Sequence, residues 1–206
     1  SLTGTATVEG SIAASKIDLS AKNLVTAGAG TVSASGRGYP CAMGPGTASA
    51  PPSTASNKGG SGAGHAGWGG VGKESDASTP GGPYGNPFDP LAGPGNGFGS
   101  GGGPFIPPVG DPFTSGAGGG VVTVTLSGSL NMEKGGHVEA DGAQGTYASG
   151  WNGGGGSGRS VVVQAHQILA GPTASVSSNG GSQGMNPDTS WAMGAGSGGY
   201  VLVTSD

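Results

Sequence analysis

Ile17-Asp18-Leu19-Ser20-Ala21-Lys22-Asn23-Leu24 and Val161-Val162-Val163-Gln164-Ala165-His166-Gln167-Ile168 set their apolar residues at the same steps: two, two and three. Asp18 and Ser20, or Val162 and Gln164, take the alternate face. A step of two is the period of a strand, whose side chains point to opposite faces in turn. Val122, Val124, Leu126 and Leu130 repeat the cassette with one residue of slippage, and Val201 and Val203 open a fourth copy. Each full copy leads into a shorter motif: Thr31-Val32-Ser33-Ala34-Ser35-Gly36, His137-Val138-Glu139-Ala140-Asp141-Gly142 and Ser175-Val176-Ser177-Ser178-Asn179-Gly180. Ser11-Ile12-Ala13-Ala14-Ser15 reads as an earlier, partial copy. Val122 and Val161 stand 39 residues apart, and Val161 and Val201 stand 40 apart, so the cassettes belong to a repeat.

An apolar strand, a short turn and a second strand of about half the length fit one turn of a solenoid, in which equivalent positions stack. The reading is therefore an all-β parallel β-helix, with residues 1–206 as one solenoid domain and 37–120 as a long Gly/Pro-rich insertion within it. Val32, Val138 and Val176 form one interior ladder, and Leu19, Val124 and Val163 another. Ala34, Ala140 and Ser178 pack where the coil is narrow. Gly36, Gly142 and Gly180 are placed at corners that need positive φ. The competing antiparallel sandwich would carry two-residue hairpin signals, which the long glycine excursions do not supply.

Fifty glycines and fifteen prolines are a level that ordinarily signals low complexity, and the regular cassettes argue against full disorder. The glycine-rich excursions (37–120, 143–160 and 181–199) read as loops on a stacked core, the longest compact but irregular. Each holds one tryptophan, Trp68, Trp151 or Trp191. Buried, these rings would staple the excursions to the scaffold; exposed and coplanar, they would form stacking platforms for sugars.

Charged residues make up 9% of the chain and the formal net charge is −4, which leaves no basic stripe for phosphates and argues against nucleic acid as a partner. No apolar run is long enough to cross a bilayer, and no signal-peptide pattern opens the sequence. Starting on Ser1 rather than Met, the chain reads as a processed product or a piece of something longer. The single Cys41 has no internal disulfide partner and reads as a bystander thiol. Thr47, Ser49, Ser53 and Thr54 lie in a Ser/Thr/Pro/Ala run that is either an O-glycan acceptor or a plain linker.

Motifs that suggest chemistry lack the context to support it. Gly62-Ala63-Gly64-His65-Ala66-Gly67 matches a dinucleotide fingerprint by letters, with no strand pattern before it and no helix pattern after. Gly67 to Lys73 approximates a phosphate loop, but Glu74 occupies the place of the magnesium-binding hydroxyl. His65, His137 and His166 read as solvated polar residues rather than a metal set. Glu133, Glu139 and Asp141, opposed by Lys134, are the only local acidic group, and an exposed turn accounts for them. The expectation is no catalysis, no cofactor and no metal.

The order of parts has a likeness. Gly64-His65-Ala66-Gly67-Trp68-Gly69-Gly70 is followed by Pro83-Tyr84-Gly85-Asn86-Pro87, a Gly-Ser-Gly-Gly-Gly stretch at 99–103, and Gly-Gly-Gly-Val-Val-Thr-Val-Thr-Leu. Gly-Gly-Gly-Gly-Ser-Gly-Arg-Ser-Val-Val-Val at 153–163 and Gly-Ser-Gly-Gly-Tyr-Val-Leu-Val at 196–203 complete it. This resembles the glycine-rich repeat regions of very large secreted or cell-surface proteins of bacteria and aquatic protists. The resemblance implies an extracellular, right-handed parallel β-helix and brings no catalytic residues with it. The function expected is structural: a unit that joins copies of itself head to tail into a filament, through edges at Leu2, Ala6 and Val8 and at Val201 and Val203. A carbohydrate-binding or adhesive module, with glycans as partners, is the alternative.

Overall fold

The computed structural model describes residues 3–49, 60–72, 79–94, 97–104, 115–148, 151–184 and 193–205. Its strands are β1 (Thr5–Val8), β2 (Ser11–Ala13), β3 (Lys16–Ala21), β4 (Asn23–Thr26), β5 (Thr31–Ser33), β6 (Val121–Leu126), β7 (Ser129–Met132), β8 (His137–Glu139), β9 (Tyr147–Ala148), β10 (Trp151–Asn152), β11 (Ser160–Ala165), β12 (Gln167–Ala170), β13 (Ser175–Ser177) and β14 (Tyr200–Ser205). Apart from the β9–β10 hairpin they form three four-stranded sheets, ordered β1-β4-β7-β12, β2-β5-β8-β13 and β3-β6-β11-β14. Every pairing in those three sheets is parallel. The chain visits the sheets in a fixed cycle and returns one strand further along each time, which is a parallel β-solenoid.

Strand period and coil closure decide which residues meet. Ile17, Val122, Val161 and Val201 share one register column, and Leu19, Val124, Val163 and Val203 the next. Ile12, Val32, Val138 and Val176 form a third, on another side of the coil. Val122, Val124, Val161, Val163, Val32 and Val138 are fully buried. The slippage in the third cassette falls at Ser127-Gly128, where the turn between β6 and β7 is one residue longer than its counterparts. The Asn23 carboxamide covers the irregularity, its Oδ1 accepting from the Ser129 amide at 2.9 Å. Replacing Val138 with Asp would put an unpaired carboxylate in the middle of the third column. The expected loss is about 3–5 kcal/mol, read as a lower urea midpoint.

Among the described residues, the glycine tracts of the excursions are more regular than the composition suggests. They run as extended segments packed side by side and bonded through the backbone. In 153–159, Gly154 and Ser157 donate to Gly103 and Ser100, Gly155 and Gly158 to Gly194 and Ser197, and Gly156 and Arg159 to Ala143 and Ala140. Every third residue thus addresses the same neighbour, and no bond stays within the segment. That is the three-residue turn of a polyproline-type helix, here built of glycine and satisfied by neighbours instead of water. Gly116 and Gly119 donate to the Gly154 and Ser157 carbonyls, Ala63 to Gly155 and Gly181 to Gly156, so the segment is enclosed on all sides. Residues 153–160 are buried throughout.

Glycine is required because the neighbours sit where a Cβ would go. At Gly154, Gly155 and Gly156 an added Cβ would lie 2.0, 2.1 and 2.0 Å from the carbonyl oxygens of Ser61, Gly181 and Ala117. The same reason corrects the corner reading. Gly36 does have positive φ, at 64°, but Gly142 and Gly180 do not. They are glycine because the Gly156 and Gly196 carbonyls stand 2.0 and 1.9 Å from their Cβ positions. Ordering a residue's backbone costs about 1–2 kcal/mol. A typical hydrogen bond returns only about 0.5–1.5 kcal/mol net. The bundle therefore depends on its attachment to the apolar coil.

Candidate functional site

Two regions carry polar or apolar groups that the coil interior does not absorb: the open ends of the solenoid, and the junction where the glycine bundle meets it. Among the described residues, β1, β2 and β3 are each paired on one side only at one end, and β12, β13 and β14 likewise at the other. The strand lengths match sheet by sheet: four residues in β1 and β12, three in β2 and β13, six in β3 and β14. Interior side chains of these outer strands lack a covering rung. Val201 and Val203 are each 45% exposed and Ile12 is 39% exposed, whereas their counterparts one rung inward are buried. The Val8 side chain is buried, at 6% exposure, and its strand β1 presents a backbone edge. Ala6 is half-buried against the core, and Leu2 lies outside the described residues.

The junction centres on Arg159. Its side chain is fully buried, and no carboxylate pairs with it among the described residues. The guanidinium instead donates to the Gly97 carbonyl through Nε, to His65 Nε2 through Nη1 and to the Ala92 carbonyl through Nη2 at 3.4 Å. It also lies 5.8 Å from the centre of the Tyr84 ring. His65, fully buried, sits edge-on to Tyr84 and Tyr200, with ring centres 4.9 and 5.1 Å away. The Tyr84 hydroxyl donates to the Phe98 carbonyl at 2.7 Å and receives the Ser100 hydroxyl at 3.1 Å. Ser160, the first residue of β11, donates its hydroxyl to the Pro90 carbonyl. These contacts clamp residues 84–94 and 97–98 to the outer face of the β3-β6-β11-β14 sheet, where Val121 and Val162 are buried despite facing away from the coil interior.

Burial, reinforced by the Arg159 charge, holds the His65 pKa down at about 3, against an ordinary 6.5. Burial raises the Tyr84 phenol and lowers Arg159. It also raises the Cys41 thiol, against a smaller opposing hydrogen bond with Ser115. His65 is therefore not the solvated loop residue its glycine surroundings suggest. His137 is half-buried and shares a 2.7 Å hydrogen bond with the Ser175 hydroxyl, and His166 is exposed in the turn between β11 and β12.

The acidic residues cap local groups. Glu133 accepts from the Gly28 amide at 3.0 Å, Glu139 from the Ser33 hydroxyl at 2.8 Å and Asp141 from the Asn179 amide at 2.6 Å. Among the described residues no group of three or more His, Cys, Asp or Glu is placed to hold a metal, and no helix is long and apolar enough to cross a membrane. Trp68 is 66% exposed, with the Gly82 backbone beneath its six-membered ring, so it does not staple the excursion. The Trp151 side chain and Trp191 lie outside the described residues. Of the glycan candidates, Thr47 donates its hydroxyl to the Gly101 carbonyl at 3.0 Å and the Ser49 hydroxyl receives the Thr79 amide at 2.8 Å. Ser53 and Thr54 lie outside the described residues.

Arg159 and its ring of partners left no trace in strand periodicity. The one available signal was a lone arginine closing a glycine tract just before an apolar strand. Comparison with family models, with curated proteins and with solved structures finds no match to this chain.

Proposed function

We propose that this chain is an extracellular, non-enzymatic structural unit that lengthens a right-handed β-helix by joining copies of itself end to end. The observation that carries the reading is the pair of matched end faces, each made of three parallel strands with one open edge among the described residues. Unpaired strand edges recruit further strands, and with charge at 9% of the chain little electrostatic repulsion opposes it. A right-handed coil follows from the strong preference of parallel crossover connections for that hand. An extracellular setting accords with the resemblance to surface-protein repeats. Glu133, Glu139 and Asp141 are engaged as caps rather than gathered around a base, which supports a non-catalytic role. The adhesive alternative needs a row of exposed rings, and Trp68 is the one described indole available to it.

Negative-stain microscopy of the purified chain should show fibres that disappear when residues 199–206, and with them β14, are removed. Monodisperse particles from the intact chain at high concentration would defeat the proposal.

A further inference from the structure

We infer that the joint between copies is an in-register continuation of the coil, in which β12, β13 and β14 of one copy pair with β1, β2 and β3 of the next. This rests on the end-to-end reading above and adds the partner strands, the polarity and the register. Each sheet already fixes its columns. Gln164 links Thr204 to Thr125, and Thr125 pairs with Ser20, so Thr204 and Ser20 occupy one outward column of their sheet. The column through Val203, Val163, Val124 and Leu19 is inward. Carrying the same registers across the joint sets Val201 and Val203 on Ile17 and Leu19 of the second copy, Ile168 on Ala6, and Val176 on Ile12.

Every one of these pairs matches an apolar side chain to an apolar one. A slip of one residue in any sheet would turn them outward, because strand side chains alternate. The two charges on β3 offer no like-charge opposition, since Lys16 and Asp18 pair with each other at 3.2 Å and would face Tyr200 and Leu202. Equal strand lengths in all three sheets let a second copy of this chain fill the face without overhang. The contact is heterologous and does not close, so it propagates.

Cysteine pairs read the register directly. Ser20 and Thr204 are both exposed, at opposite edges of one sheet, roughly 14 Å apart within a copy, too far for an internal disulfide. In a Cys41→Ser background, oxidised Ser20→Cys/Thr204→Cys protein should form a reducible ladder of dimers, trimers and higher species. Asp18→Cys/Thr204→Cys protein, whose pair would be roughly 8 Å apart across the joint, should not. Thr204→Cys alone should give no dimer. Equal ladders from both pairs, or a ladder only from the second, would overturn the register while leaving end-to-end assembly standing. A dimer from Thr204→Cys alone would overturn the polarity. If neither pair cross-links while the unmodified chain still forms fibres, the joint lies elsewhere. If neither cross-links and no fibres form, the assembly reading fails as well.

Discussion

Gly155→Ala should unfold the glycine bundle, while the same change at Gly10 should leave the protein as stable as before or slightly more so. The new methyl at position 155 would stand 2.1 Å from the Gly181 carbonyl oxygen and 2.7 Å from its carbon, with the Gly196 nitrogen at 2.9 Å. All three are backbone, so no side chain can rotate away. Relief requires segments 178–184 and 193–199 to move off, breaking the Gly181-to-Gly156 and Gly155-to-Gly194 bonds, 2.8 and 2.9 Å long. With one buried group left unpaired per broken bond, at about 1–3 kcal/mol each, the two bonds together cost about 2–6 kcal/mol. Against a typical domain stability of about 5–15 kcal/mol that is a large share. Gly10 is exposed, and an added Cβ there meets nothing within 4 Å. Alanine narrows the unfolded ensemble at such a site and stabilises by about 0.4–1 kcal/mol. Urea unfolding separates the two variants, and hydrogen exchange locates the damage: amides of 153–159 should lose protection in Gly155→Ala and keep it in Gly10→Ala. A Gly155→Ala protein with unchanged midpoint and protection would mean that glycine is not needed for close approach in this segment.

How much of this could be read in advance differs between coil and bundle. The coil announces itself because its order rests on side chains. Ile17, Val122 and Val161 fall into one column by a two-residue alternation that is visible in the letters. Even the extra residue at Gly128 shows as a one-residue slip. The bundle rests on backbone, and backbone is the same at every position. A tract such as Gly153 to Gly156 carries no period that distinguishes a packed helix from a loose linker, because the three-residue repeat lies in hydrogen bonds to six other stretches of chain. Arg159 and His65 were hidden for a related reason: 94 residues separate them, and only the folding of the excursions brings them together. The tryptophans misled in the opposite direction. Ring size suggested a staple, but at position 68 the backbone at Gly69 is buried while the indole stands outside, 66% exposed.

Acid should loosen the junction through His65, and the sign follows from which state binds the proton. Arg159 keeps its charge at any pH of interest and donates to His65 Nε2, so that nitrogen must accept and the imidazole must be neutral. Its proton then sits on Nδ1, which is buried without a hydrogen-bond partner among the described residues. Protonating Nε2 would place two charged donors against each other in a site with no carboxylate partner for Arg159 among the described residues. The fold therefore holds the pKa down at about 3, while the unfolded chain binds a proton near 6.5. Stability from this group is fully present above pH 6.5 and is lost as the pH falls toward about 3, because over that interval the unfolded state takes up a proton that the folded state refuses. From pH 7.5 to pH 5 the loss is about 2 kcal/mol, at a slope approaching about 1.4 kcal/mol per pH unit. The carboxylates also begin to titrate near the lower end of this range, so the informative quantity is a difference between variants. Glutamine places a carbonyl oxygen close to the position of Nε2 and cannot be protonated there. His65→Gln protein should thus be less stable than the parent at neutral pH or equal to it, and should lose about 2 kcal/mol less between pH 7.5 and pH 5. Urea midpoints at half-unit intervals measure both slopes. Parallel slopes for the parent and His65→Gln would show that His65 takes up its proton in the folded protein, and with that the neutral, Arg159-bound imidazole at the junction would have to be abandoned.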